Sequence, residues 1–472
     1  MRAHEAGALH GDIGQRGPTW LRTPEDVNTL VPSLWAATVR RGTAGALAVG
    51  GLDVRDLAAR FGTPAYILDE TDFRARCRAF RTAFGDTTSP DHSAASPTVV
   101  HYAGKAFLCK AVVRMVAEEG LSLDVCTSGE LAVALAAGMP ADRIGFHGNN
   151  KSVSELTRAV DAGVGRIIVD SVAEIERLTT IARARGIRPA VLVRATVGIE
   201  AHTHEYIATA HEDQKFGLSL AGGAATAAIE RILTEGVLDL RGVHSHIGSQ
   251  IFDTSAFEVS ARRALGLHAQ VRDQHGVELP EIDLGGGFGI AYTTQDDPAP
   301  PQDLARGLIK IVEQECAALD LAVPRLSIEP GRAIVGPAMF TLYEVGTVKD
   351  VDGIRTYVSV DGGMSDNIRT ALYDAAYSAT VASRRSAADP VLARVVGKHC
   401  EAGDVVVKDE FLPGDVRPGD LLAVPGTGGY CRSMASNYNH VPRPPVVAVA
   451  DGTARVIVRR ESEDDLLALD VG

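Results

Sequence analysis

Between about residue 97 and residue 330 the chain repeats one pattern eight times, and no other feature constrains its fold as strongly. Each repeat is a short run rich in β-branched and apolar residues, followed by a stretch with apolar residues at three- and four-residue spacing. The runs are 98–103 (TVVHYA), 122–126 (SLDVC), 143–147 (RIGFH), 166–170 (RIIVD), 190–195 (AVLVRA), 240–246 (LRGVHSH), 281–285 (EIDLG) and 325–329 (RLSIE). Helical spacing recurs between them, as in Ser154 to Ala162, Val172 to Arg185 and Leu304 to Leu319. Several of these stretches open with Ser or Asp beside an early Glu, which marks a helix start. Eight β-then-α units within roughly 250 residues fit a (β/α)8 TIM barrel, whose functional residues gather at the C-terminal ends of its strands. A doubly wound open sheet is the rival, and it is disfavoured because no GxGxxG turn follows the first strand.

Past about residue 337 the texture changes to short Val-rich runs broken by Gly and Pro: Tyr343 to Val348, Thr356 to Val360, Asp404 to Val407, Asp420 to Val424 and Pro445 to Ala450. This reads as an all-β domain. Pro64 to Asp69 is also strand-like and is expected to pair into it, making that domain discontinuous in sequence. The organisation expected is a tail over 1–20 that is disordered, a barrel over 71–336, and a β domain built from 21–70 and 337–472. The Ala/Gly-rich stretch 221–228 reads as a small-residue helix start.

Composition removes several classes of function. The chain has 472 residues, 60 acidic against 47 basic, for a net charge of −13 without basic blocks, so it offers no footprint for nucleic acid. The first twenty residues lack a signal-peptide core, and no stretch approaches the roughly 18 apolar residues of a membrane span. A cytoplasmic location is expected. Six scattered cysteines (77, 109, 126, 316, 400, 431) form no CxxC pair, which argues against a disulfide framework and against structural zinc.

The chemistry starts with Lys105 in HYAGKAF (101–107), at the end of the first expected strand. A lone Lys is usually a solvated surface charge. Two Gly-rich turns change its meaning: GGGFG (285–289) after the seventh strand and EPGR (329–332) after the eighth, where this fold commonly binds phosphate. A strand-end amine beside a phosphate cradle points to pyridoxal phosphate, which needs a lysine for the Schiff base and a partner for its pyridine nitrogen. Glu329 is placed to be that partner. A carboxylate there keeps the nitrogen protonated and the ring a strong electron sink, which favours decarboxylation over racemisation. In GVHSHIGSQIF (242–252), His246 is a candidate to lie flat against the ring and Ser249 to meet the phosphate. With His244, His202 and His204 nearby in sequence a metal cluster was weighed, and without a carboxylate at ligand spacing no metal is expected.

Taken together, HYAGKAF, LDVCTSGEL (123–131), FHGNNKS (146–152), HEDQKFGL (211–218), HSHIGSQIF, DLGGGFGI, EPGRAIVGP, DGGMSDNIRTALY (361–373), GKHCEAGD (397–404) and GGYCRSMASNYN (428–439) resemble the diaminopimelate decarboxylases. The resemblance runs from about residue 50 to the C-terminus and is nearest to actinobacterial forms. It implies an alanine-racemase-like fold, pyridoxal 5′-phosphate as cofactor, meso-diaminopimelate as substrate and L-lysine as product. It implies that Lys105 is the Schiff-base lysine, that Gly287, Pro330, Gly331 and Arg332 belong to the phosphate and ring-nitrogen site with Glu329, and that Tyr430 meets cofactor and substrate. Cys400 resembles the proton donor and Glu401 a substrate-binding acid. Both come from the neighbouring subunit in the family, which implies a homodimer with shared sites. Arg332, Arg369 and Tyr373 match substrate contacts, and planar Arg suits a distal carboxylate. Departures are small: Ala402 where Ser is common in CEAGD, and Gly104 where Ala is common. The alternatives are a sister decarboxylase of ornithine, lysine or arginine, against which Arg369 and the SMASNYN run argue, and a non-catalytic homologue, against which the joint presence of Lys105, Glu329, Cys400 and Tyr430 argues. The charged, His-rich 201–215 segment is expected to be a lid or subunit contact.

Overall fold

A computed structural model describes residues 17–85, 98–198, 215–351 and 353–472. The expected tail over 1–20 and the 201–215 segment lie largely outside these residues. The chain forms two compact units: one spans Arg74–Gly289 and Pro298–Ile334, the other runs through Phe73 and includes Ile290–Asp297 and Val335–Gly472. Ile290–Asp297, inside the span read from sequence as barrel, therefore packs with the sheet unit.

The first unit is the closed eight-stranded parallel barrel that the alternation predicts. Its strands are Val99–Ala103, Ser122–Val125, Ile144–Phe146, Arg166–Val169, Ala190–Thr196, Asp239–His244, Glu281–Asp283 and Arg325–Ile328. Each pairs in parallel with the next, and the eighth pairs with the first through Ser327–Val99 and Ile328–Val100 to close the ring. A further two-residue strand, Leu218–Ser219, pairs with Ala190–Thr196. The sixth and seventh strands end two residues earlier than the apolar runs suggest, at His244 and Asp283. Beyond Asp283 the chain turns at Gly285, whose φ of 71° takes the backbone out of the extended region.

Helix caps explain the regularity of the outer layer. Ser152 accepts from the Glu155 amide while the Glu155 carboxylate reaches back to Ser152, and Gly163 closes the helix Val153–Ala162 in the left-handed conformation. Ser171, which accepts from the Glu174 amide, and left-handed Gly186 bracket Val172–Arg185. Leu123, Phe146, Ile167, Val193, Val243, Ile282 and Ile328, one from each of seven strands, are fully buried.

The second unit is a mixed sheet in the order 405–413, 390–396, 355–360, 339–351, 65–69, 446–450, 453–458, with Leu421–Pro425 also paired to Met339–Val351. Ala65–Asp69 lies at its centre, antiparallel to Met339–Val351 and parallel to Val446–Ala450. Leu47, Val49, Ile67, Phe340, Leu342, Val447 and Val449 form its core with Trp35, which meets Phe340 edge-on at 5.9 Å.

One carboxylate ties together the N-terminal ends of four barrel strands. Glu281, almost fully buried, takes Arg325 Nη2 at 2.6 Å, Arg166 Nε at 2.6 Å and Arg241 Nε at 3.3 Å. Burial alone would raise its pKa; the hydrogen bond and charge of Arg166, with Arg325 and Arg241, outweigh that and hold it below the usual Glu value. A depressed carboxyl stabilises fully above its unfolded pKa and loses that stabilisation as pH falls through the folded one. Glu281→Ala should cost about 3–5 kcal/mol in urea unfolding at neutral pH, since it leaves a cluster of guanidinium groups uncompensated. The wild-type advantage over Glu281→Gln should fade below about pH 4.3.

Candidate active site

Lys105 sits in the single 3-10 turn Gly104–Ala106 that follows the first barrel strand. It lines a cavity of about 190 Å³ at the C-terminal ends of the strands, together with Asp124, His147, Arg194, His244, His246 and Glu329. Its amine is accessible to solvent. Each of the others stands at or just past a strand end, so closure of the barrel, not nearness in sequence, brings them together.

The floor of this cavity is an acid and imidazole cluster. Glu329 Oε1 lies 2.9 Å from His244 Nε2 and 3.4 Å from His147 Nε2. Asp124 Oδ1 lies 2.9 Å from His101 Nδ1 and 3.4 Å from His147 Nε2. Burial would raise the Glu329 pKa, but the adjacent His147 and His244 outweigh it and hold the carboxyl well below the usual range, while burial lowers the pKa of His244 itself. Asp283 is pushed well above its usual value by burial and by the neighbouring charges of Glu329 and Asp124. His246 is driven well below the usual histidine value by burial and by the Lys105 charge, so its ring is neutral. Its Nδ1 accepts from the Gly286 amide at 3.2 Å.

The histidines weighed from sequence as metal ligands are therefore not the set that converges. His202 and His204 lie outside the described residues, and His244 instead meets His147 and Glu329, whose ligand atoms fall within 4.8 Å of one another. These atoms, His147 Nε2, His244 Nε2 and Glu329 Oε1, are buried without a well-formed hydrogen bond inside the chain, as is Asp124 Oδ2. Buried polar atoms left open in this way mark a place for a polar ligand. A ring bearing a protonated nitrogen and a phenolic oxygen suits that donor set, so the residues present fit pyridoxal phosphate.

The expected phosphate cradle is a pair of interlocked turns. Ile251 and Phe288 form a parallel bridge, with Ile251 N donating to Gly287 O at 2.9 Å and Gly289 N to Ile251 O at 2.9 Å. Gly287 has φ of 108°, and a Cβ there would stand 2.5 Å from Gly248 O. Ala103 N donates to Pro330 O, joining the 329–332 turn to the strand that carries Lys105. Arg332 is buried and donates from Nη2 to Ser249 Oγ at 2.9 Å, joining the same turn to the 245–252 loop. A third support lies outside the cavity: buried Lys151 pairs with Glu174 at 2.6 Å and donates to Gly148 O, next to His147.

The remaining candidates belong to the sheet unit. Arg369 opens the short helix Arg369–Tyr373 and is buried, while Tyr373 ends it half-buried. Cys400 and Glu401 are exposed on the loop before Val405–Pro413. Tyr430 has φ of 66°, a left-handed conformation that aromatic residues rarely adopt and that concentrates at functional sites. Sequence reasoning missed Asp124, His147 and Arg194, although each falls at the end of an expected strand.

Fold and site together define a pyridoxal-dependent decarboxylase: residues 70–336 match the family model for the pyridoxal-binding domain of those enzymes. The chain is 56% identical over 450 residues to the diaminopimelate decarboxylase of Mycobacterium tuberculosis, covering 94% of this chain and 98% of that protein. It is 53% identical over 481 residues to that of Mycobacterium leprae, covering 100% of both. The solved diaminopimelate decarboxylase of M. jannaschii, in co-complex with L-lysine, matches with a TM-score of 0.86 and 31% identity, covering 93% of this chain and 98% of that one. The chain belongs to the diaminopimelate decarboxylase family.

The turns leave no room for added atoms. A Cβ on Gly286 would stand 2.2 Å from Glu329 O. Gly286→Ala should cost about 1–3 kcal/mol of stability and weaken cofactor binding, as read by urea unfolding of the cofactor-free protein and by titration of the bound-cofactor absorbance.

Proposed function

We propose that this chain removes carbon dioxide from meso-2,6-diaminopimelate to give L-lysine, with pyridoxal 5′-phosphate held at the barrel mouth, as a cytoplasmic homodimer with shared sites. The observation that carries this reading is Glu329, a buried carboxylate kept ionised between His147 and His244 in the cavity that Lys105 lines. Lys105 would hold the cofactor through Nζ. Neutral His246 would face its ring, Glu329 would keep the ring nitrogen protonated, and Ser249, Gly287, Pro330, Gly331 and Arg332 would hold the phosphate. When bound, the protonated ring takes up the electron pair left as the carboxylate departs as carbon dioxide.

The chain's own groups do the rest. The floor of the cavity holds fixed charges in a buried setting, so little reorganisation is needed as charge shifts toward the ring. Cys400 delivers a proton from Sγ to the carbon that has lost its carboxylate. Arg332, Arg369, Tyr373 and Tyr430 contact substrate, and Glu401 pairs with its distal ammonium. The exposure of Cys400 and Glu401 on a single chain supports their serving a neighbouring subunit. No helix among the described residues is long and apolar enough to cross a membrane.

Purified protein incubated with cofactor and meso-diaminopimelate should release lysine and carbon dioxide in equal amounts. Glu329→Gln should lower kcat by about 10²-fold or more while the absorbance of lysine-bound cofactor persists; undiminished turnover would remove the main support for this reading. Shared sites make a separate expectation. Inactive Lys105→Ala and Cys400→Ala proteins, mixed and allowed to exchange subunits, should regain about a quarter of wild-type activity, because half the dimers are mixed and each holds one intact site. No recovery despite exchange would place each site within one chain.

A further inference from the structure

Arg369 is a buried cation without an anion. It is 5% exposed, and no carboxylate among the described residues pairs with it. Its Nη1 donates to Tyr292 Oη at 2.7 Å and to Tyr377 Oη at 2.6 Å. The guanidinium carbon stands 4.9 Å from the centre of the Tyr292 ring and 5.8 Å from that of Tyr377, and the two rings meet edge-to-face at 5.1 Å. Nε is buried with no hydrogen-bond partner among the described residues. Of five guanidinium donors, the two on Nη1 are thus spent on phenols, and the edge formed by Nε and Nη2 keeps its capacity for a bidentate carboxylate.

The choice of phenol is informative. An Asp or Glu in either place would fix Arg369 equally well but would cancel its charge and compete with an incoming anion. Two neutral hydroxyls fix the plane and leave the full positive charge. Burial pushes the Tyr377 hydroxyl well above its usual pKa, so it remains neutral beside the guanidinium. Both tyrosines are themselves tethered. Tyr377 Oη reaches Cys431 Sγ at 3.5 Å, and the Tyr292 and Thr293 amides both donate to Asp296 Oδ2 at 2.9 Å.

We infer that Tyr292 and Tyr377 are positioning residues that aim the Nε and Nη2 edge of Arg369 at the carboxylate the reaction leaves intact, and thereby set the preference for a substrate with a second amino-acid head over a plain amine. This rests on the reading that Arg369 receives that distal carboxylate. Neither tyrosine touches the reacting centre in this scheme; each acts through Arg369. Replacing either by Phe keeps the ring beside the cation but removes the acceptor that holds Nη1.

The test uses the holoenzyme and two probes that share a chain length: L-lysine, which keeps the distal carboxylate, and cadaverine, which lacks it. In Tyr292→Phe and Tyr377→Phe, KM for meso-diaminopimelate and the inhibition constant for L-lysine should both rise about tenfold or more. The fall in kcat should stay within about threefold and cadaverine inhibition within about twofold. Arg369→Gln is the control for the underlying reading and should weaken L-lysine while sparing cadaverine. If Arg369→Gln leaves L-lysine inhibition intact, the carboxylate does not meet Arg369 and both ideas fall. If Arg369→Gln weakens L-lysine but neither Phe variant does, the carboxylate assignment stands and the positioning role is overturned. Equal weakening of both probes, or loss of the bound-cofactor absorbance, would mean that the tyrosines merely support the fold. Either substitution carries the test alone should the other not fold.

Discussion

A buried carboxylate kept ionised is the interaction on which the barrel site depends. Glu329 is buried and, among the described residues, forms no ion pair with a guanidinium; its nearest partners are a pair of imidazoles from the third and sixth strand ends. An isolated carboxylate in such a place would take up a proton instead of remaining charged. A short distance away, burial and then the charges of Glu329 and Asp124 push the Asp283 carboxyl well above its usual value. The cluster thus contains two carboxyls whose pKa neighbouring imidazoles lower and one whose pKa burial and acidic neighbours raise. That division depends on barrel closure, which brings the ends of the first, second, third, sixth, seventh and eighth strands into one cluster.

Much of the barrel is legible in sequence because a parallel strand buried on both faces must be a continuous apolar run, and eight such runs alternate with capped helices. Strand ends were less legible. The expected runs extend to His246 and Gly285, yet the strands stop at His244 and Asp283, and Gly285 at positive φ takes the chain out of the ladder. In the sheet unit, Pro390–Val396 and Thr453–Val458 were not foreseen as strands. Both carry arginines and are only partly buried, so their apolar signal is diluted. Ile290–Asp297 follows the seventh strand and reads as part of the barrel; only the fold shows that Tyr292 packs with Tyr377.

The same physics divides the site. Lys105, His246 and Glu329 could be picked out because unusual residue types stood beside Gly-rich turns at strand ends. Asp124 and His147 could not, since a single buried Asp or His is ordinary and its significance comes from a partner far along the chain. Arg369 is legible as a cation, whereas Tyr292 and Tyr377, separated from it by 77 and 8 residues, carry no sequence signal that links them to it. Pairings between elements are what a single sequence conceals, because they depend on register and closure.

The two units treat buried charge in opposite ways, and the contrast bears on specificity. In the barrel, imidazoles stabilise a carboxylate without fully satisfying it, leaving Glu329 Oε1 open. In the sheet unit, phenols orient a guanidinium without neutralising it, leaving Arg369 Nε open. A chain selected only for stability would close both with side chains of opposite charge, since an unpaired buried donor or acceptor costs about 1–3 kcal/mol or more. Leaving each charge defined in sign and geometry but uncompensated lowers the stability of the ligand-free protein and transfers the missing partner to the ligand. A molecule lacking a protonated ring nitrogen in one place, or a carboxylate in the other, would then leave a buried group unpaired, which is a stronger basis for rejection than a difference in size.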